Sequence, residues 1–135
     1  MSAPVAPLVG FDLESPARLA RRLAARPGLE ERLFTAAERA YCHDLARSER
    51  HLTARYCAKE ATVKALALEA FEPQDIEVAA GGDACRLALH GDAARRADEL
   101  GVVLSVSLSH TDEMAGAVVL ALPSSSAARA RSRLS

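Results

Sequence analysis

The chain has 135 residues, the length of one domain, and half of them are hydrophobic, enough to bury about two thirds of the unfolded surface. Aromatic area is scarce, with no Trp, two Tyr and three Phe, so packing rests on Ala, Leu and Val and gains from contacts between subunits. The net charge of −1 becomes −4 once the tail arginines Arg129, Arg131 and Arg133 are set aside, which argues against nucleic acid as a partner.

No apolar run reaches transmembrane length, so no membrane partner is expected. Three cysteines, odd in number and without CxxC spacing, together with the lack of a signal-type segment, imply reduced thiols and a cytoplasmic protein.

Leu8 to Glu14 reads as a short strand alternating apolar with small or polar positions and ending on acids. Ser15 and Pro16 then supply an N-cap and a first-turn proline, and Arg26-Pro27-Gly28 closes that helix. Arg18, Arg21 and Arg22 share one of its faces, opposite Leu19 and Leu23. They are either a solvated face or a docking ridge for an acidic partner helix. Leu29 to Phe34 is a helical turn, and Thr35 with Glu38 forms a capping box opening a helix through Tyr41 toward Leu45. Arg47 to His51 reads as a polar hinge, and His43 and His51 as surface histidines.

A long helix is predicted from about Glu49 to Leu68, free of Gly and Pro. Leu52, Tyr56, Val63, Leu66 and Ala67 form one apolar arc, and Ala54, Ala58, Ala61 and Ala65 a narrow second arc that admits a close backbone neighbour. Glu60 and Lys64 lie between the arcs, one turn or about 6 Å apart. By spacing they are a surface ion pair, or a carboxylate and ammonium that together grip a metal-bound phosphorylated substrate.

Beyond this helix the pattern turns to alternation. Asp75 to Val78 and Cys85 to Leu89 read as strands joined at Gly81-Gly82-Asp83. Gly91-Asp92 caps a helix to Leu100, stopped by Gly101. Val102 to Ser109 alternates apolar residues with serines, Ser109 to Glu113 turns, and Ala115 to Leu122 reads as a buried strand. Residues 124–135, rich in Ser, Ala and Arg, read as a disordered tail behind a domain of residues 1–123.

The string Arg55-Tyr56-Cys57-Ala58-Lys59-Glu60-Ala61-Thr62-Val63-Lys64-Ala65-Leu66 resembles the signature helix of the 4'-phosphopantetheinyl transferases of the holo-[acyl-carrier-protein] synthase type. Gly10-Phe11-Asp12 and Ser107-Leu108-Ser109-His110 match the same pattern in the same order. So do the Phe34 to Cys42 stretch, through Thr35, Glu38 and Tyr41, and Leu89-His90-Gly91.

The resemblance implies an α+β fold with a small antiparallel sheet packed around a long central helix. It also implies transfer of the 4'-phosphopantetheine arm of coenzyme A to a serine of an acyl carrier protein, with 3',5'-ADP released. Mg²⁺ is then held by Asp12 and Glu60 and by the coenzyme's pyrophosphate, Lys64 steadies the leaving phosphate, and Glu60 assists removal of the serine proton. Ser109 and His110 face the nucleotide end, Arg55 and Lys59 meet phosphates, and Arg18, Arg21 and Arg22 receive the carrier. Small members of the family form homotrimers with shared sites. The rival reading is a non-catalytic relative that binds carriers or serves as a structural subunit; a generic nucleotide module lacks a Gly-rich phosphate loop.

Three departures stand out. Glu14 comes two residues after Asp12 where the family often has an acid at three, Gly82-Asp83-Ala84 replaces Gly-x-Pro, and Cys57 replaces alanine.

Overall fold

The computed structural model describes residues 8–79 and 85–124. The elements run β1 (Leu8–Glu14), α1 (Pro16–Ala25), α2 (Leu29–Leu33), α3 (Ala36–His43), α4 (Ser48–Leu66), a 3₁₀ turn (Pro73–Asp75), β2 (Ile76–Ala79), β3 (Arg86–Leu89), α5 (Gly91–Leu100), β4 (Val102–His110) and β5 (Ala115–Pro123). The sheet anticipated as one is two: β1-β5-β4 and β2-β3, both antiparallel. The predicted turn at Gly81 to Asp83 and residues 125–135 of the tail lie outside the described residues. Ser124 does not belong to that tail, because its N–H donates to the Gly101 carbonyl at 2.8 Å.

Local chemistry places the ends of the elements. The Ser15 hydroxyl accepts from Arg18 N–H, and Thr35 and Glu38 complete their capping box. Arg47 to His51 is no hinge: Arg47, at φ 56°, is the N-cap, and Ser48 onward is already α4. The helix stops at Leu66 because Ala67 turns left-handed at φ 51° while Leu68 N–H reaches back to the Val63 carbonyl.

α4 is buried nearly all round instead of along two arcs. Leu52 packs with Leu19, Leu29, Leu33, Phe34 and Cys42 on the helical side, while Ala58, Ala61 and Ala65 meet Ala117 and Val119 of the sheet. Its buried hydroxyls stay satisfied within the helix, Thr53 donating to the Glu49 carbonyl and Thr62 to that of Ala58.

β1 lies on the alanine stripe through Gly10, where an added Cβ would sit 1.8 Å from the Ala61 carbonyl oxygen. This close approach makes Leu8, Gly10, Asp12 and Glu14 the inner face. Val9, Phe11 and Leu13 therefore point outward, 61%, 55% and 53% exposed. β5, expected to be buried, covers only one face: Ala115, Ala117, Val119 and Ala121 are enclosed, and Val118, Leu120 and Leu122 look out. The three-stranded sheet thus carries an uncovered apolar outer surface.

Gly10→Ala is expected to destabilise the fold by ~3 kcal/mol, the upper end of overpacking costs, because two backbones would have to separate. Denaturant unfolding at fixed protein concentration checks it, and a loss near zero would mean that the strand and helix are not in contact there.

Candidate active site

Asp12 reaches the helix because β1 crosses it at Gly10 and Asp12, two residues on, keeps the inward alternation. Lys64, on the last turn of α4, donates to the Phe11 carbonyl at 2.9 Å and lies 3.4 Å from Asp12 Oδ1. Its ion pair therefore runs between elements, to Asp12, and not along the helix to Glu60. The Lys64 side chain remains half exposed, so it can turn to a ligand at little cost.

Beneath these groups is Cys57, fully buried, with its thiol toward the Ala115 carbonyl at 3.6 Å. Burial pushes this thiol far above the ordinary cysteine value, and Asp12, Glu14 and Glu60 push it further. The replacement of alanine by cysteine thus adds a neutral thiol at the floor of a carboxylate cluster. Glu60 stands one turn after Tyr56, whose hydroxyl is held in its protonated form by burial and by Glu60, while Arg22 opposes.

Asp12 and Glu60, which both act on the Cys57 thiol, with the half-exposed Lys64 ammonium next to Asp12, are the side chains here that could offer oxygens to a hard divalent cation that also takes ligand oxygens. Among the described residues no group of three or more His, Cys, Asp and Glu is placed as a ready-made cage. Glu14 does not make a third ligand evident, since its Oε1 accepts from Ser15 N–H at 3.0 Å.

The remaining predicted residues divide. Arg18, Arg21 and Arg22 are exposed along α1, with Arg22 5.7 Å from the centre of the Tyr56 ring. Ser109 and His110 end β4 on opposite faces. Ser109 shares the outward row with Leu13 and Gly116, and His110 the inward row with Glu14 and Ala115. Two strand spacings, ~10 Å, separate β4 from β1, and Ser109 faces away from Asp12. One protomer therefore does not unite Ser109 with the carboxylates.

Lys59 is a correction. Its side chain is 0% exposed, and its ammonium lies 2.7 Å from Glu38 Oε1 and 2.8 Å from the Pro73 carbonyl, with Phe34 5.6 Å away. An enclosed cation with those partners does not meet a phosphate. Arg55 is likewise buried, 4.5 Å from the centre of the Tyr41 ring and reaching the His51 carbonyl. The sequence reading missed Glu38 as a buried anion, although its capping box was visible. It also missed His51, which is no plain surface histidine but sits edge-on to His110 at 4.9 Å.

Burial lowers the Lys59 amine below its ordinary value and Glu38 opposes the shift, so the pair stands or falls together. Lys59→Met, leaving Glu38 unpaired, is expected to cost ~3–5 kcal/mol, whereas Lys64→Ala stays within ~1 kcal/mol because its ion pair is solvated. Equilibrium unfolding of both variants decides this. Equal losses would remove the distinction between a structural and a site lysine.

The chain matches the family described as the 4'-phosphopantetheinyl transferase superfamily over residues 8–119. It is 44% identical to a holo-[acyl-carrier-protein] synthase of Moorella thermoacetica, across 82% of this chain and 90% of that one. With the synthase of the same name in Anaeromyxobacter dehalogenans strain 2CP-1 the identity is 42%, across 83% and 92%. Among solved structures, the Chronobacterium ammoniagenes ACPS–CoA complex is similar at a TM-score of 0.74 and 29% identity, covering 87% of this chain and 97% of that one.

Proposed function

The chain belongs to the 4'-phosphopantetheinyl transferase superfamily, and we propose on that basis that it acts as a holo-[acyl-carrier-protein] synthase. It transfers the 4'-phosphopantetheine arm of coenzyme A to a serine hydroxyl of an apo acyl carrier protein of fatty-acid or polyketide synthesis. The serine oxygen bonds to the β-phosphorus, the bond from that phosphorus to the bridging oxygen breaks, and 3',5'-ADP departs. What supports this reading is the pairing of Lys64 with Asp12 where β1 crosses α4, together with the action of both Asp12 and Glu60 on the Cys57 thiol.

Phosphoryl transfer needs charge neutralisation and alignment more than covalent help, and the residues suit that need. Asp12 and Glu60 are the side chains that would hold Mg²⁺, which when bound would supply positive charge to the pyrophosphate. Lys64 turns from Asp12 to the leaving phosphate. Glu60 accepts the serine proton, directly or through water. Arg18, Arg21 and Arg22 offer an exposed cationic face to the carrier's acidic surface, which aids encounter and orientation. Three free cysteines, two of them buried, agree with a reducing cytoplasm. No helix among the described residues is long and apolar enough to cross a membrane.

We further propose a homotrimer whose sites combine two subunits. Support comes from the exposed Val9, Phe11, Leu13 and Val118 on the outer sheet face, an apolar area that a neighbour would cover. The orientation of Ser109 supports it too, since a residue turned away from its own Asp12 is free to serve another subunit's coenzyme.

With coenzyme A, Mg²⁺ and apo carrier, the carrier should gain the mass of the arm. Glu60→Gln should lose ~10²-fold or more in kcat with unfolding unchanged. Arg18→Glu should raise KM for the carrier several-fold and leave that for coenzyme A alone, an effect shrinking with salt. Near-normal turnover of Glu60→Gln would place the chemistry elsewhere.

Light scattering at micromolar concentration should give three times the 14.3 kDa chain mass, and Phe11→Glu should dissociate the assembly and abolish turnover together. A fully active monomer would contradict the shared site.

A further inference from the structure

The turn that follows β4 has its local shape set from within. Thr111 N–H donates to the Met114 carbonyl at 2.7 Å, and the Thr111 hydroxyl accepts from Glu113 and Met114 N–H at 3.3 and 3.1 Å. None of these bonds says where the turn sits relative to the rest of the molecule. That is settled by α4. Arg50 Nη2 lies 2.6 Å from Asp112 Oδ1, with Arg47 at 3.8 Å from the same oxygen. The His51 ring meets His110 edge to face, centroids 4.9 Å apart and planes at 76°. Cys57, two turns on, reaches the Ala115 carbonyl.

We propose that His51 is a positioning residue for the coenzyme-facing turn: its ring, edge-on to His110, acts with the Arg50–Asp112 ion pair to hold Ser109 and His110 ready for the nucleotide end of coenzyme A. This rests on the proposal that Ser109 and His110 contact coenzyme A. The division of labour follows from exposure. Asp112 is largely solvated, so its ion pair is screened and weak alone, whereas Arg50 is mostly covered and gives that pair a fixed end. His51 is half-buried and flanked by Arg50, Arg55 and His110, with Glu49 opposing their effect on it. Burial, the neighbouring His110 ring and the Arg55 and Arg50 guanidiniums hold the His51 imidazole below its ordinary value, so at neutral pH it braces His110 as an uncharged ring. A turn held in its bound conformation before the ligand arrives does not lose that freedom on binding, so the benefit appears as coenzyme affinity.

The test uses the full chain with Glu60 and Lys64 intact. His51→Ala should raise KM for coenzyme A, and its calorimetric Kd without carrier, by ~3–10-fold, the range an aromatic pair is worth. The kcat and the KM for carrier should stay within twofold. His51→Phe, which keeps the ring edge but has no ring nitrogen, should recover most of the affinity. Asp112→Ser, on an exposed residue that leaves folding intact, should weaken coenzyme A in the same direction and more at low salt. In a His110→Ala background, His51→Ala should add nothing further.

Coenzyme A affinity unchanged in both His51→Ala and Asp112→Ser, while His110→Ala weakens it, would overturn the positioning role alone. Affinity unchanged in His110→Ala as well would overturn the underlying assignment of this turn to the coenzyme.

Discussion

A single buried carboxylate holds the helical and strand parts of this protein in register. Glu38 Oε1 accepts from Thr35 N–H at 2.8 Å and from the Lys59 ammonium at 2.7 Å, and Oε2 accepts from Val78 N–H at 2.9 Å. The start of α3, the middle of α4 and the interior of β2 thereby meet at one side chain. Desolvating both charges offsets much of their attraction, so the pair adds little net stability over an apolar substitute. Its effect is geometric. With Lys59 pinned on one side of α4, Glu60 lies about 100° and Lys64 about 140° round the axis, which brings both to the edge where β1 crosses.

That crossing depends on small residues. Ala61 and Ala65 on the helix and Gly10 on the strand bring two backbones together, and a strand so close must point its small and acidic positions inward. Asp12 and Lys64 are therefore carried by a strand and a helix whose packing leaves little freedom. Phosphoryl transfer gains from such rigid placement, since alignment and charge placed in advance supply most of its rate enhancement.

The same inward turn of the acids forces the apolar residues of β1 outward. Together with Val118, Leu120 and Leu122 they make a sheet face that a lone protomer leaves in water. Ser109 lies on that face, while Asp12 and His110 lie on the other. The proposed catalytic groups and the proposed partner surface are thus two consequences of one strand's orientation, and the proposed assembly brings them back together.

Much of this was legible in the residues themselves. Leu8–Glu14, the Ser15 and Thr35 caps, the Gly101 stop and the serine-lined β4 follow from backbone preferences and alternation, which act over a few neighbours. The signature string on the long helix, with Gly10-Phe11-Asp12 and Ser109-His110, was enough to indicate the family. What sequence alone left open were the pairings across distance. Lys59 and Lys64 are alike in type and five residues apart, yet one is sealed against Glu38, 21 positions earlier, and the other is half exposed beside Asp12. Helical periodicity tells which residues share a face but not which neighbour that face meets. The side of β1 turned to α4, the partner of each lysine and the seating of His51 on His110 were decided only when the tertiary packing excluded water from some charges and left it with others.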